Sequence, residues 1–512
     1  MTEADSKTER LIRAACNRVD GASLAVFRIV FGLGVAVYAI KGLVRGEVRM
    51  IFVDPEFHFS YWGFEWLKPW PGSGMYLHFA ALAISGLLVA AGIAYRFSSI
   101  VLALLFSFVF LSDRTAYLNH YYLMVLLCWM MTVLPADRVF SVDRIGQSGG
   151  STRGTTGEAQ VPHWAVWLVQ FHIGVPYFFG GVAKLSADWL QGQPMRMTLM
   201  QQPLVASVAE VVGTDPVVYL FAVGGMLFDL AVVPALLWRP TRNVAFCLTL
   251  GFHLTNALVF PIGVFPWLMM GATTIFFEPD WPRRLLRLQP VTPAAVEICV
   301  SRRQRIMLGM VGCYLAFHCL LPLRHLVTAG DPNWTERGHF FAWHMMLRGK
   351  RCGLRMYVTD PETGRTAPVD LRNFVTEYQF PKVGRDPEHI RQLAHMIAAS
   401  VEQKRNRRVE VRAFALVSLN GRKAELLVDP TVDLASQPAT WTLPAWINEL
   451  HEPLLKQHWD VPLLEWEEAL GMDAEAMVRV RPAEASDVRG KRTSTDTVTA
   501  GLGAMTFLHS RK

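Results

Sequence analysis

The sequence predicts a mostly α-helical fold: a polytopic transmembrane bundle of about nine spans, followed by an extramembrane α+β or β-sandwich-like domain. Hydrophobic residues make up 52% of the chain and charged residues only 18%, whereas soluble globular proteins carry about 25% charge. The apolar residues are also gathered into long runs, which a soluble core would not need. Near residue 330 the composition changes to that of a soluble domain.

Nine apolar runs approach or reach the length that crosses a bilayer, which is about 20 residues. They cover residues 23–44, 75–94, 98–116, 121–136, 164–184, 216–237, 242–260, 264–278 and 305–323. Several are short, so spans three and four and spans seven and eight have an alternative as re-entrant pairs. The polar N-terminus has no apolar core of a cleavable signal peptide, so span one is expected to act as the insertion signal.

Lys and Arg in the short loops predict the orientation, because they accumulate on the inner side. Arginine precedes span one and occurs after spans two, four, six and eight, whereas the loop after span one, with Lys41 and Lys68, is an exception. We therefore expect the N-terminus inside and the C-terminal region outside. The predicted domains are a cytoplasmic N-terminal segment (1–22), a transmembrane domain (23–325), an extramembrane domain (326–480) and a disordered tail (481–512).

Several function classes find no support in the sequence. Of the seven cysteines, four lie in apolar spans, so no disulfide framework is indicated. The net charge of +7 is explained by the arginines of the inner loops and does not indicate nucleic-acid binding. The chain contains no Gly-rich phosphate loop, no CxxC, no HExxH and no other metal or flavin motif.

Span five ends in the stretch FFGGVAKLSADW, which places Lys184 at the end of an apolar helix. A lysine costs about 2.5–3.5 kcal/mol at the centre of a bilayer. One interpretation is that Lys184 extends its ammonium to the interface. The other is a desolvated amine that acts as a base near neutral pH. The remaining polar residues of the spans favour the second interpretation.

Further polar residues lie at membrane depth. Asn119 and His120 belong to the patch DRTAYLNHYY after span three and supply a hydrogen-bond donor and a titratable imidazole. His253 and Asn256 are three residues apart on span seven and share a helix face, with interhelical hydrogen bonding as the alternative. Asp229 stands alone in span six and needs a partner.

Three other features of the membrane region allow an interpretation. Arg28, near the inner end of span one, is interpreted as a cation anchored at the interface, and His172 in span five as a helix contact. The loop 57–71 is too aromatic for a solvated linker. We interpret it as an interfacial segment, with the wall of a pocket for a flat ring as the alternative.

The C-terminal region shows both strand and helix patterns. Residues 351–369 and 409–429 alternate in polarity around the turns PETG and NG, which is typical of β-hairpins. Residues 387–404 repeat apolar positions with a helical period. The domain is therefore expected to combine two hairpins with a helix.

Six segments, in this order, resemble the vitamin K-dependent γ-glutamyl carboxylases and their bacterial relatives with a horizontally transferred transmembrane (HTTM) domain. They are VFRIVFG, YRFSS, SDRTAYLNHYYL, FGGVAKLSADW, FHLTNALVFPIGVF and WTERGHFFAWHMM. The resemblance covers nearly all of residues 20–470. It departs from the animal members at Ala183, where they carry a second lysine.

The resemblance implies an enzyme that oxidises vitamin K hydroquinone with O2 to the 2,3-epoxide and carboxylates a glutamate of a protein or peptide with CO2. It implies a multi-pass protein of a bacterial inner membrane, in contact with lipid, with no metal and no nucleic-acid partner. The expected catalytic residues are Lys184, His120 and Asn119, and the expected cofactor-binding residues are His253, Asn256, Trp189 and Tyr122.

Two other functions stay open. One is quinol epoxidation without carboxylation, and the other is a non-catalytic membrane module that presents its outer domain to a partner. A scaffold has no need of a buried base, so Lys184, Asn119 and His120 argue against the module. They do not separate carboxylation from epoxidation alone.

Overall fold

The computed structural model describes residues 3–147, 159–289, 291, 300–455 and 457–479. A membrane domain of apolar helices is followed by a C-terminal domain that is built on a small β-sheet. The predicted disordered tail, 481–512, lies outside the described residues.

The membrane domain is almost entirely helical and has one short pair of strands, β1 (Arg18–Asp20) and β2 (Gln160–Pro162), which pair antiparallel. Its helices are α1 (Glu3–Cys16), α2 (Ala22–Val44), α3 (Gly74–Ala91), α4 (Tyr95–Ser112), α5 (Asn119–Val133), α6 (Val142–Gln147), α7 (His163–Ala183), α8 (Ala187–Leu190), α9 (Met195–Met200), α10 (Pro203–Val212), α11 (Thr214–Tyr219), α12 (Gly225–Leu237), α13 (Arg239–Val259), α14 (Phe265–Ala272), α15 (Trp281–Leu285), α16 (Arg302–Leu320) and α17 (Pro332–Thr335).

Six helical stretches of the described chain are long and apolar enough to cross a membrane. They are α2, α3, α4, α7, the stretch from α11 through α12, and α16 with the 3-10 turn that follows it. The nine predicted spans are therefore not confirmed. Of the other three, α5 has 15 residues and α14 has eight, while α13 has 21 but begins with Arg239 and Arg242.

Glycine allows the first two long helices to pack closely. A Cβ added at Gly32 of α2 would lie 2.6 Å from the carbonyl oxygen of Gly86 on α3. No side chain fits between the two backbones there. Small residues at such contacts are typical of helices that associate in membranes, where close backbone packing replaces the hydrophobic effect.

The arginine-rich loops meet at one end of the bundle. Arg283 donates to Asp20 at 2.6 Å, and Arg305 donates to Glu9 of α1 at 2.7 Å. The paired strands β1 and β2 lie at the same end. The loops that the sequence assigned to the inner side are therefore neighbours in space.

Arg28 is fully buried and does not anchor the bundle at an interface, which corrects its sequence-based interpretation. Its guanidinium donates to the carbonyl oxygens of Ala136 at 2.7 Å, Val139 at 3.3 Å, Ala90 at 3.2 Å and Phe140 at 2.5 Å. One side chain thus satisfies carbonyls at the end of α3 and in the loop after α5. Arg28 therefore holds together the end of α3 and the loop after α5.

The C-terminal domain has an α+β architecture. Its strands are β3 (Lys350–Thr359), β4 (Thr366–Pro368), β5 (Glu410–Leu419) and β6 (Glu425–Leu426), and its helices are α18 (Phe380–Val383), α19 (Pro387–Arg405), α20 (Trp466–Leu470) and α21 (Ala474–Arg479). The strands form one antiparallel sheet in the order β4-β3-β5-β6.

Both predicted hairpins and the predicted helix of this domain are confirmed. β3 pairs with β4 and β5 pairs with β6, and the buried side chains Ile390, Leu393 and Ile397 of α19 join the core that lies against β5. The described residues contain no second sheet facing this one. The β-sandwich form of the prediction is therefore not what the structure shows.

The first residues of the aromatic loop after α2 pack against the C-terminal domain, whereas Trp62, Trp66 and Trp70 further along the loop are at least half exposed. Phe59 is fully buried in the core of that domain, and Gln392 of α19 accepts from the backbone N–H of Ser60 at 2.9 Å. Arg114, after α4, pairs with Asp386 at 3.0 Å. We call this contact, formed by residues 57–60, 113–117 and 378–392, the seam.

Candidate functional site

Lys184 follows the last residue of α7, and its ammonium is buried against the carboxylate of Asp229 on α12. Lys184 is 7% exposed and Asp229 is 3% exposed, so the side chain does not extend to a surface. The indole of Trp189 covers the pair, with its ring centre 5.2 Å from Nζ. Trp189 is itself fixed by a 2.8 Å hydrogen bond from Nε1 to the carbonyl of Ala222.

The pair of Lys184 and Asp229 can hold one proton without leaving a net charge in the interior. A lone buried ammonium would carry a large desolvation cost, and a counter-ion with good geometry offsets it. The carboxylate of Asp229 is hydrogen-bonded to Nζ, so the two groups are neighbours in the buried interior.

Two glycines of α7 allow this approach. A Cβ at Gly181 would lie 2.8 Å from Cγ of Leu230, the residue after Asp229. A Cβ at Gly180 would lie 2.7 Å from Cε of Met345 and 3.8 Å from Oδ2 of Asp229. The FGG sequence before the lysine thus lets α12 and the segment around Met345 reach the pair.

His253 and His120 lie on two sides of one phenylalanine. The ring of Phe265 is 5.1 Å from the ring of His120, in a stacked arrangement, and 6.4 Å from the ring of His253. Nε2 of His253 forms a 2.5 Å hydrogen bond with the hydroxyl of Tyr177 on α7. Nδ1 of His253 is buried and has no hydrogen-bond partner among the described residues.

Tyr177 connects these histidines with the lysine. It precedes Lys184 by two helical turns on α7, and its ring centre lies 6.0 Å from that of Phe228, the residue before Asp229. Tyr177 is also an electrostatic neighbour of Asp229. Contacts therefore run without a break from Lys184 to His120.

Asn119 and Tyr122 contact the segment that leads from the membrane domain to the sheet. Nδ2 of Asn119 donates to the carbonyl of His344 at 3.1 Å, and Oδ1 accepts from the Tyr117 hydroxyl at 2.9 Å. The ring of Tyr122 lies 4.9 Å from that of Trp343. Because Met345 follows directly and contacts Gly180, this segment joins the asparagine to the lysine.

Asn256 does not take part in these contacts. Its side chain is partly buried and makes no hydrogen bond within the described chain. It follows His253 by almost one helical turn, as the spacing predicts, yet only His253 is fully buried against α7. His172 forms hydrogen bonds to Leu168 and Tyr314, as its interpretation as a helix contact predicts.

Sequence reasoning missed three parts of the site. The partner of Lys184 is Asp229. The sequence indicates only that this carboxylate lies within a span and requires some partner. Tyr177 was not singled out, although its spacing of seven residues from Lys184 puts both on one face of α7. The close contact of Met345 with Gly180 was not predicted. The only feature of the sequence that indicates it is the pair Gly180–Gly181.

A separate cavity of about 320 Å³ lies in the loop after α2. Its lining includes Phe57, His58, Lys68 and Trp70. His58 is fixed by a 2.9 Å contact from Nδ1 to Asp113. This part of the aromatic loop lines a cavity.

Together, these features define a multi-pass membrane protein with a buried lysine–carboxylate site below an α+β domain. Residues 16–281, more than half of the chain, match the HTTM domain. Residues 303–453 match the lumenal domain of vitamin K-dependent gamma-carboxylase. The chain belongs to this carboxylase family. No solved structure matches it.

Proposed function

We propose that the protein is a vitamin K-dependent γ-glutamyl carboxylase, which couples oxygenation of vitamin K hydroquinone to carboxylation of a protein glutamate. Membership of the family supports the substrates, vitamin K hydroquinone, O2, CO2 and a glutamate-containing protein. The observation that carries the proposal is the buried pair of Lys184 and Asp229. A buried amine that is kept dry beside a carboxylate is suited to general-base work, because the carboxylate stabilises the ammonium that forms when the amine takes up a proton.

The aromatic residues that Tyr177 connects to the pair are suited to a flat ring with hydroxyl groups. Phe265 and the imidazole of His120 offer aromatic faces, and Nδ1 of His253 is a buried polar atom without a partner. A quinol hydroxyl would satisfy that nitrogen, which otherwise costs about 1–3 kcal/mol. When bound, the hydroquinone supplies the electrons for O2 reduction and the strong base that the glutamate requires.

The chain's own residues then have separate roles. Nζ of Lys184, as a free amine, takes a hydroxyl proton, and the carboxylate of Asp229 stabilises the ammonium that forms. His253 orients the ring, and Trp189 closes the site from the outer side. Asn119, held by the backbone of His344, and His120 are proposed to position the reacting groups, and the apolar helices exclude water that would quench a strong base.

We further propose that the chain crosses a bacterial inner membrane nine times, with its N-terminus inside and its C-terminal domain outside. The arginine-rich loops lie at one end of the bundle, and the sheet domain lies at the other. α5, α13 and α14 would be the three crossings beyond the six apolar helices. Reporter fusions after residue 325 test the orientation, and a cytoplasmic C-terminus contradicts it.

The test of function uses purified protein, reduced vitamin K, a glutamate peptide and labelled bicarbonate. We expect both epoxide and labelled peptide. Epoxide without label indicates quinol epoxidation alone, and neither product indicates a non-catalytic module. The variant Lys184→Arg keeps the charge but cannot release the proton, so it is expected to abolish epoxide formation.

Two further variants complete this test. Lys404→Arg, at an exposed position of α19, is the matched control and is expected to behave like the parent. Lys184→Ala is expected to recover part of its activity with small exogenous amines, in the order of their basicity and fit. If Lys184→Arg forms epoxide at the parental rate, Lys184 has a structural role and is not the base.

A further inference from the structure

Two cations at the seam have no acidic partner. Lys382 lies in α18 and Arg385 follows it by three residues, and both side chains are partly buried. Neither side chain makes a hydrogen bond or ion pair within the described chain. Nζ of Lys382 lies 3.2 Å from the ring centre of Tyr378 instead.

The carboxylates that interact electrostatically with these cations are engaged elsewhere. Asp113 acts on Lys382, and Glu336 and Asp386 act on Arg385. Their closer partners are His58 for Asp113, Arg114 for Asp386, and Arg348 and Lys350 for Glu336. The remaining neighbours of the Lys382 ammonium are therefore the charge of Arg385 and the ring of Tyr378.

Such a pair is costly without an anion, since like charges repel and burial removes water from both. Burial and, to a smaller extent, the charge of Arg385 together lower the pKa of the Lys382 ammonium to about 7. Burial also lowers the pKa of Arg385. A guanidinium beside an ammonium is well suited to a carboxylate, because the planar guanidinium donates hydrogen bonds to both carboxylate oxygens and the ammonium adds a point charge.

The pair also lies on a route to the proposed catalytic residues. Burial raises the pKa of the Tyr378 phenol, and the nearby Asp113 and Tyr121 add to this rise. The ring of Tyr121 is in turn 4.5 Å from the ring of His120. A ligand held by Lys382 and Arg385 would therefore lie at the outer end of the same site.

We propose that Lys382 and Arg385 bind the γ-carboxylate of the substrate glutamate and present it to the site below the seam. This inference rests on the proposed function, since it assumes that an acidic peptide is the substrate. It assigns glutamate recognition to the C-terminal domain, and it leaves the lysine–carboxylate pair to act on the quinol.

The experiment measures binding, so it does not depend on turnover. A fluorescent peptide with several glutamates, and the same peptide with glutamines, are titrated into the purified full-length protein. We expect the glutamate peptide to bind more tightly. Lys382→Met and Arg385→Gln are each expected to weaken it at least about tenfold, because hydrogen bonds to charged groups contribute about 1.5–3 kcal/mol, with no effect on the glutamine peptide.

Controls separate the outcomes. Lys404→Met and Arg408→Gln remove the same charges from exposed positions and are expected to leave binding unchanged. Thermal stability of Lys382→Met is expected to equal or exceed that of the parent, since an unpaired buried charge is removed. Lower stability with equal loss of both peptides overturns the proposal, because it indicates a structural role.

A competition experiment with small anions provides a second test of the proposal. The proposal is overturned if millimolar bicarbonate or inorganic phosphate displaces the peptide and the glutamate and glutamine peptides bind equally well. That result would assign the two cations to a small anion or a lipid phosphate. If the protein carboxylates peptides but the two variants keep parental affinity, only this inference fails. If no carboxylation is found yet the glutamate preference depends on Lys382 and Arg385, the inference stands without the proposed reaction.

Discussion

The pair of Lys184 and Asp229 leads to the sharpest prediction. In Asp229→Asn the volume is unchanged, but the carboxylate is lost and an ammonium is left in a site where both side chains are less than a tenth exposed. Removing one partner of a buried ion pair costs about 3–5 kcal/mol. The amide oxygen can still accept one hydrogen bond from Nζ, which recovers about 1 kcal/mol. We therefore expect a loss of about 2–4 kcal/mol of stability.

A double variant isolates the interaction between the two residues. Lys184→Met together with Asp229→Leu removes both charges and keeps apolar volume, and such replacements are often neutral or stabilising. The double variant is therefore expected to be at least as stable as the parent, and more stable than either single variant. If Lys184→Met and Asp229→Leu each cost about 3–5 kcal/mol and the double variant costs about zero, the coupling energy is about 6 kcal/mol or more, well above the error of a mutant cycle.

Thermal unfolding in detergent and epoxide formation from reduced vitamin K are measured on the same preparations. Asp229→Asn, Lys184→Met, Asp229→Leu and the double variant are all expected to lose epoxidation. Loss of activity in the stable double variant would separate the role of the amine from its effect on stability. Parental stability and rate in Asp229→Asn would refute the reasoning. Restored epoxidation in the double variant would show that Lys184 is not the base.

Three further outcomes are expected. His120→Ala loses carboxylation at parental expression, because the imidazole stacked on Phe265 is removed, and parental activity would contradict this role. Arg28→Leu leaves the carbonyls bound by Arg28 without a donor and lowers the unfolding midpoint, whereas exposed Arg408→Leu does not. Because the pKa of Lys382 lies at about 7, a carboxylate ligand loses its cation as pH rises. The KM for a glutamate peptide therefore increases above this pH, by up to about tenfold per unit, and Lys382→Arg flattens the profile.

Local patterns predicted the elements well. The hairpin at Asn420–Gly421 and the helix from Pro387 follow from turn chemistry and helical period, which involve neighbours in the chain. Six apolar helices follow from composition. α5, α13 and α14 do not follow in the same way, because they are short or polar, and such helices depend on packing for their burial.

The partners of charged groups could not be predicted, since they depend on how helices approach one another. Arg28 lies near a helix end, and this position alone suggests an interface. Its acceptors include carbonyls 108 to 112 residues away, which only the folded loops bring together. The same holds for Lys184, whose partner is 45 residues away and is brought close by glycines of α7.

The contact between the sheet domain and the segment next to Lys184 shows that a turn predicted from local sequence can also have a long-range structural role. In the sequence, Asn420 and Gly421 indicate only a turn. In the structure, Asn420 and Arg422 both donate to the carboxylate of Asp188, the latter through two nitrogens at 2.6 and 2.7 Å. Asp188 precedes Trp189, which covers the Lys184 ammonium. The turn that closes the hairpin therefore also fixes the segment that covers the Lys184 ammonium, so the C-terminal domain supports the position of Lys184.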